Sequence, residues 1–272
     1  MVKISGCIVT YNTDQEQLLA AMDSFLNYCP KDSTLYIVDN SPADSLKIIA
    51  ARENVEYIHL GSNPGFGAAH NLAIQRSIKS GNKYHFIINP DIHFNTDVIN
   101  PMVRYMQANQ DVGMMMPEVL YPDGSIQYLP KLLPAPFWII RRKFKKFDAA
   151  FDSFINKYEL RTFPRKQIYN APILSGCFTL LNLTAIQEVG GYDDKFFMYF
   201  EDFDLSRRVH EKYKTIYFPD VSVYHGYEGG ANKSFKLFKI FLLSAFHYFN
   251  KWGWFNDRSR KWINDRALSQ RP

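Results

Sequence analysis

The stretch Gly190 to Leu205, GGYDDKFFMYFEDFDL, sets five carboxylates (Asp193, Asp194, Glu201, Asp202 and Asp204) among Phe196, Phe197, Met198, Tyr199, Phe200 and Phe203. A carboxylate crowded by apolar side chains loses solvation, and its pKa rises toward that of a useful general base. The same residues also suit a plainer role. Helix N-termini favour acid, and Asp204 with Arg208 has the i,i+4 spacing of a surface ion pair. Other polar residues stand where apolar runs end: Thr10-Tyr11-Asn12 after Ile4 to Val9, Asp39 after Leu35 to Val38, and Asn89-Pro90-Asp91 after Tyr84 to Ile88. Asp39 can accept hydrogen bonds from a ribose hydroxyl or a base imide N–H, although Asn40-Ser41-Pro42 behind it also fits a turn. Asp91 and His225, each at a strand end, could join diphosphate oxygens around an octahedral Mn²⁺ or Mg²⁺ ion, with His93 a competing ligand.

Positioning these residues requires strands that end on one edge. The runs Ile4 to Val9, Leu35 to Val38, Val55 to Leu60 and Tyr84 to Ile88 read as buried strands. They alternate with helices: Leu18, Leu19, Met22, Phe25 and Leu26 at helical spacing, capped by Thr13 or Asp14, and a stretch running on to about Ser80. That alternation predicts an open, mostly parallel α/β sheet with its site along the carboxyl edge of the strands. Asn63-Pro64-Gly65-Phe66-Gly67 opens the second helix. It matches a dinucleotide fingerprint only loosely, since Ala68 and His70 follow where a third glycine would stand. Its expected use is to bring backbone N–H groups and a helix N-terminus to a diphosphate, with Asn71 one turn in. Val112 to Met116 reads as a strand, followed by a Pro122-Asp123-Gly124 turn. Ile173 to Leu181 reads as another, followed by Ile216 to Phe218 and Val221 to Tyr224. Between about 130 and 170, Arg141, Arg142, Lys143, Lys145 and Lys146 beside Phe137, Trp138, Phe144 and Phe147 suggest a solvated insertion or a lid.

At 272 residues with 16% aromatics, the chain has ample material for a core. Cys7, Cys29 and Cys177 have neither metal-ligand spacing nor an even disulfide framework, which favours a reducing compartment. Met1-Val2-Lys3 runs straight into the first strand, and the best apolar run, Ile240 to Phe246, is far short of the ~18 residues of a membrane span. A cytoplasmic protein is expected. Of the net charge of +5, the residues from Lys233 onward carry nine Lys and Arg against Asp257 and Asp265, which leaves −2 for the rest. A near-neutral body with a basic tail points to an anionic surface as partner.

Together the motifs resemble the inverting glycosyltransferase family 2, which has a GT-A fold. The matching pieces are Val9-Thr10-Tyr11-Asn12, Val38-Asp39-Asn40-Ser41, Asn63-Pro64-Gly65-Phe66-Gly67 with Asn71, Asn89-Pro90-Asp91 and Phe200-Glu201-Asp202-Phe203-Asp204-Leu205. From residue 9 to 225 they span some four-fifths of the chain. Within the family, Asn89-Pro90-Asp91, Phe197 to Asp202 and the basic aromatic tail are most similar to bacterial rhamnosyltransferases of O-antigen and related surface polysaccharides. The resemblance implies that Thr10, Tyr11, Asn12 and Asp39 hold the nucleotide. Asn63, Gly65, Gly67, Asn71 and Asn89 would line the nucleotide-sugar side. Asp91 stands at the last position of the family's Asp-X-Asp metal motif and His225 at its later metal-ligand histidine. Asn89 replaces the first Asp, so the Mn²⁺ or Mg²⁺ site has one carboxylate fewer. Asp202 matches the catalytic base, and Glu201 and Asp204 would meet the acceptor. The implied donor is dTDP-β-L-rhamnose or a UDP-sugar, and the implied acceptor a saccharide or a polyprenyl-diphosphate-linked saccharide.

The expected division is a catalytic domain over 1–230 and a basic, aromatic-rich helical region over 231–272. From Lys233 to Asn250 a wide apolar face leaves a narrow polar stripe of Lys236, Lys239, Ser244, His247 and, just beyond, Lys251. Trp252, Trp254 and Trp262 follow among Arg258, Arg260, Lys261 and Arg266. This suits an anionic bilayer, at the inner face of the plasma membrane, or a helix packed on the catalytic domain or a second subunit in a homodimer. A nucleotide-binding oxidoreductase would need a fuller glycine fingerprint after the first strand. A nucleic-acid binder would need one basic stripe with stacking platforms, and here the basic residues lie mostly in the tail and one insertion.

Overall fold

The computed structural model describes residues 2–143, 149–226 and 234–272. Phe144, Lys145, Lys146, Phe147, Lys233 and the 230/231 boundary lie outside the described residues, as do the side chains of Arg142 and Lys143. In chain order the elements are β1 (Ile4–Thr10), α1 (Gln15–Leu26), β2 (Thr34–Asp39), β3 (Val55–His59), α2 (Phe66–Lys79), β4 (Tyr84–Ile88) and β5 (Ile92–His93). There follow α3 (Ile99–Ala108), β6 (Val112–Leu120), α4 (Pro136–Lys143), α5 (Ala149–Tyr158), β7 (Tyr169–Asn170) and β8 (Phe178–Asn182). The chain continues through α6 (Leu183–Val189), α7 (Glu201–His210), β9 (Lys214–His225), α8 (Phe235–Trp252) and α9 (Arg258–Leu268).

Among the described residues the strands form one sheet of order β3-β2-β1-β4-β8-β6-β9-β5, with β7 paired to β9. The first half is parallel: β2 and β4 flank β1, and β3 lies outside β2. Every residue of β1 and β4 is buried, as expected for strands covered on both faces. Asp14 caps α1 by accepting from the Glu16 and Gln17 amides, and Leu18, Ala21, Met22 and Phe25 turn inward.

The second half mixes directions. β8 runs antiparallel to both β4 and β6, whereas β9 is parallel to β6. Because β8 reverses, its first residue, Phe178, lies opposite the last residue of β4, Ile88. The turn before β8 therefore arrives at the carboxyl edge. The long strand expected over Ile173 to Leu181 begins only at Phe178, because the amides ahead of it are committed to α7. Leu174 N donates to Ser206 Oγ (3.1 Å) and Gly176 N to Asp202 Oδ2 (3.3 Å). The two short strands expected at 216–218 and 221–224 are one strand, β9, with a bulge opposite Pro117 and Glu118.

The described part of the 130–170 insertion is not a solvated excursion. Trp138 packs edge-on against Phe154 and Tyr158, and Tyr158, Leu160 and Phe163 are buried in the main core. The C-terminal helices pack too. On α8, Ala245, Tyr248 and Phe249 form a cluster with Phe196 and Phe200, and on α9 Ile263 meets Leu133 and Ile173. Buried Arg207 on α7 donates to both carboxylate oxygens of Asp257 (2.6 and 2.7 Å) and to Ser259 Oγ (2.7 Å). Its guanidinium also lies 4.1 Å from the Trp252 ring centroid. That bidentate pair fastens the turn between α8 and α9 to the body.

Candidate active site

At the carboxyl ends of β1 and β2, Thr10 and Asp39 lie opposite each other in register. Asp39 is fully buried and accepts from Thr10 Oγ1 (3.0 Å), the Ser41 amide (3.0 Å) and the Tyr57 hydroxyl (2.7 Å). Burial alone would raise its pKa, but these donors outweigh it and hold the carboxyl below its ordinary range. A carboxylate kept charged in this way is set up to accept from an imide or a hydroxyl. Alongside, Asn12 N donates to Ser41 Oγ (2.8 Å), and Asn40 Nδ2 donates to Asn63 Oδ1 (3.3 Å), which also accepts from Gly65 N (3.0 Å). Tyr11 stands half exposed at the rim.

The next strand end carries Asn89 and Asp91. His225 ends β9, and its Nε2 lies 3.3 Å from Asp91 Oδ1 and 3.4 Å from Asn89 Nδ2. Gln127 fixes the orientation of the ring. Its Nε2 donates to the His225 carbonyl (2.8 Å), which leaves Oε1 facing His225 Nδ1 at 3.0 Å. In the tautomer assigned from this network, Nδ1–H donates to Gln127 and the Nε2 lone pair faces Asp91. An imidazole nitrogen and a carboxylate oxygen this close are a donor set that a divalent cation would share, so Asp91 and His225 fit such a metal. No group of three or more His, Cys, Asp or Glu suited to a metal occurs among the described residues. The remaining positions around such an ion would fall to diphosphate oxygens and water, in keeping with Mg²⁺ or Mn²⁺.

Asp202 is the second residue of α7. Its Oδ2 accepts from Gly176 N (3.3 Å), and the Cys177 carbonyl next along accepts from Asn89 N (2.8 Å). Two residues thus bridge Asp202 and the Asn89–Asp91 turn. The Cys177 thiol between them is pushed up to about 12 by burial and further by the charges of Asp91 and Asp202. Burial raises the Asp202 pKa above its ordinary value, against the pull of Gly176 N–H and the Lys131 charge. Glu201 is buried, and Oε2 has no hydrogen-bond partner among the described residues. Burial first and the Asp202 charge second lift its pKa well above the usual carboxylate range. Just before them, Tyr199 and Phe200 both have left-handed backbones, φ 69° and 64°. Bulky residues rarely adopt that conformation, and such strain concentrates at functional sites.

The sequence profile described as "Glycosyl transferase family 2" matches residues 5–190. The chain belongs to glycosyl transferase family 2. Among its relatives is the N-acetylglucosaminyl-diphospho-decaprenol L-rhamnosyltransferase of Mycobacterium tuberculosis (strain ATCC 25618 / H37Rv), 26% identical over 208 residues. That match covers 71% of this chain and 66% of the relative, so the chain spans just under two-thirds of the length of that protein. The rhamnosyltransferase WbbL of Escherichia coli (strain K12) is 25% identical over 257 residues, covering 89% of this chain and 91% of the relative. Among solved structures, the fold is similar to that of GalNAc-T7 with UDP, GalNAc and Mn²⁺ (TM-score 0.61, 15% identity, 89% of this chain and 47% of that one). Staphylococcus aureus TarS 1-349 is similar at TM-score 0.60 and 13% identity, over 98% of this chain and 71% of that one. Both likenesses support the GT-A-like fold.

The family profile stops at residue 190, short of Asp202. The structure brings Thr10, Asn12, Asp39 and Asn63 into one hydrogen-bonded patch, and Asn89, Asp91 and His225 into another. Gly65, Gly67 and Asn71 turn toward the acidic loop instead. A Cβ on Gly65, at φ +103°, would sit 2.4 Å from the Phe197 carbonyl oxygen, and one on Gly67 would sit 2.8 Å from Tyr192 Cβ. Asn71 Nδ2 donates to the Tyr192 carbonyl (2.8 Å) and Asp194 Oδ1 (2.9 Å), while its Oδ1 accepts from Tyr192 N (2.8 Å). Asp204, expected at the acceptor, is fully buried and holds Arg208 (2.8 Å), Trp252 Nε1 (2.8 Å) and Lys251 (2.9 Å). It faces α8, away from solvent, because it lies a half-turn round α7 from Asp202. His93 is exposed and stacks on Tyr224, away from the Asp91–His225 contact. Nothing in the sequence around Tyr57 and Gln127 announces these roles.

Proposed function

We propose that the protein is an inverting glycosyltransferase that moves L-rhamnose from dTDP-β-L-rhamnose to a saccharide carried on a polyprenyl diphosphate, in cell-surface polysaccharide synthesis. The observation that carries the transferase reading is the bridge Asp202–Gly176–Cys177–Asn89, which sets a base with a raised pKa beside the turn that carries Asp91. In this reading Thr10, Asn12 and Asp39 seat the nucleoside, with Asp39 accepting from its imide or ribose. Asp202 takes the proton of an acceptor hydroxyl as that oxygen attacks the anomeric carbon. The nucleoside diphosphate departs from the opposite face, and a single displacement inverts the centre to give an α-L-rhamnoside. A divalent ion at Asp91 and His225 would supply charge to offset that developing on the diphosphate. Gln127 holds the imidazole in the orientation this requires. The rhamnose and lipid-linked assignments draw support from the names of the mycobacterial and E. coli relatives. Thermal shift against dTDP, UDP, GDP and NAD⁺, each with and without Mn²⁺, tests the reading. A Mn²⁺-dependent rise with dTDP is expected. A preference for UDP would change the donor, and a shift with NAD⁺ but none of the diphosphates would overturn the proposal.

A further inference from the structure

Helix α8 is apolar on two faces. The inner face holds the loop that leads to Asp202: Ser244 Oγ donates to the Met198 carbonyl (2.8 Å), and Phe241 packs on Tyr199 and Phe200 at ring distances of 5.8 and 5.4 Å. Tyr248 closes on Phe200 from the same side, 5.4 Å away. The outer face is largely uncovered among the described residues. Phe235, Leu242, Leu243 and Phe246 are 82%, 49%, 51% and 52% exposed. Phe235, Leu242 and Phe246 follow one another at i, i+7 and i+11, a single stripe along the helix. Lys236 and Lys239 are exposed at its N-terminal end. Phe246 meets Trp254 at 5.7 Å, and the neighbouring Phe255 is 85% exposed, so the apolar strip continues past the helix end.

Aligned large apolar side chains facing water mark a contact surface. Its flanking charge decides among occupants: lysines beside an apolar stripe, in a segment of net +7, complement an anionic lipid surface. A second copy of the same basic helix would set like charges together. No described helix is long and apolar enough to cross a membrane. We infer that α8 lies along an anionic bilayer through its outer stripe while its inner face carries the loop before Asp202, holding the active site at a fixed height over the lipid surface. The idea draws its purpose from the lipid-linked acceptor proposed above, but its test uses neither donor nor acceptor, so each can fail alone.

The experiment is pelleting of the whole chain with phosphatidylcholine vesicles, with and without phosphatidylglycerol, at low and high salt. The expected result is binding to the anionic vesicles that weakens with salt. Leu242→Glu with Phe246→Glu should weaken it about tenfold or more, since each removes apolar surface from the bilayer. Lys236→Glu with Lys239→Glu should remove the preference for phosphatidylglycerol. Tm and donor hydrolysis in both variants should match the parent, because these side chains point away from the loop. Absence of pelleting, or pelleting indifferent to the apolar pair, overturns the inference. So does a lipid-free dimer in sedimentation velocity that the apolar pair dissolves, since the stripe would then be covered by a second copy.

Discussion

Glu201 and Asp202 are consecutive carboxylates with different surroundings. Two backbone amides, Gly176 N and Phe203 N, steady Asp202, which keeps partial access to solvent. Glu201 is buried, and its Oε2 is without a donor among the described residues. Neighbouring carboxylates disfavour simultaneous ionisation, and burial adds to the effect for both. In the role proposed for it, Asp202 works only as the carboxylate, so the rate should fall with acid around a pKa displaced upward from the ordinary 3.8. A kcat profile against pH checks this. Asp202→Asn should lower kcat about 10²- to 10⁴-fold with Tm unchanged, and near-normal turnover in the folded variant would remove Asp202 from the role. Glu201 has the opposite use for its proton. Its folded pKa is raised above the ordinary 4.5, so its contribution to stability is complete below that value and is lost as pH climbs through the folded pKa. Glu201→Gln removes that loss. Melting curves between about pH 5 and pH 8 should show the variant gaining on the parent as pH rises.

The elements that carry these residues differ in how far their sequence announces them. The parallel half follows from β-branched, apolar runs that stop at Thr10, Asp39 and Asn89, so both the strands and the edge where the Thr10–Asp39 patch lies can be read directly. Strand direction has no such mark. Nothing in Phe178 to Asn182 says that β8 runs against β4, yet that reversal delivers Gly176 to Asp202. Tyr57 and Gln127 go unnoticed for a related reason: their roles lie in partners 18 and 98 residues away, Asp39 and His225. Nor does the pattern of Tyr199 and Phe200 hint at a left-handed backbone, since aromatic residues do not favour one. On α8 an apolar face too wide for one contact is visible in the sequence, but which part packs and which stays bare is fixed only by the Met198 to Phe203 loop. Gly65, read as a phosphate-loop glycine, turns out to be needed for the approach of Phe197. Gly65→Ala should cost about 1 to 3 kcal/mol in urea unfolding, because both its φ and its closeness to the Phe197 carbonyl exclude a Cβ. The shifted loop should lower kcat about 10- to 100-fold.

Across the whole molecule, a parallel half that carries the Thr10–Asp39 patch and a mixed half that carries Asp202 are joined by few, specific links. Arg207 secures the C-terminal helices to α7 through a buried pair with Asp257. Removing one partner of such a pair leaves a buried charge uncompensated, so Arg207→Ala should cost about 3 to 5 kcal/mol by urea denaturation. α8 and α9 should then loosen together with the acidic loop. Another link is a single carbonyl. Phe66 N at the start of α2 donates to Phe197 O (3.0 Å), and Gly65 lies against the same peptide. The segment Asn63 to Gly67 thus cannot settle without also settling the loop that leads to Asp202. Under the proposed function, a donor seated against this segment would firm up the wall against which the acceptor must bind. The consequence is kinetic: sequential addition with a compulsory order, donor before acceptor, and dead-end inhibition by the nucleoside diphosphate that is competitive with the donor and non-competitive with the acceptor.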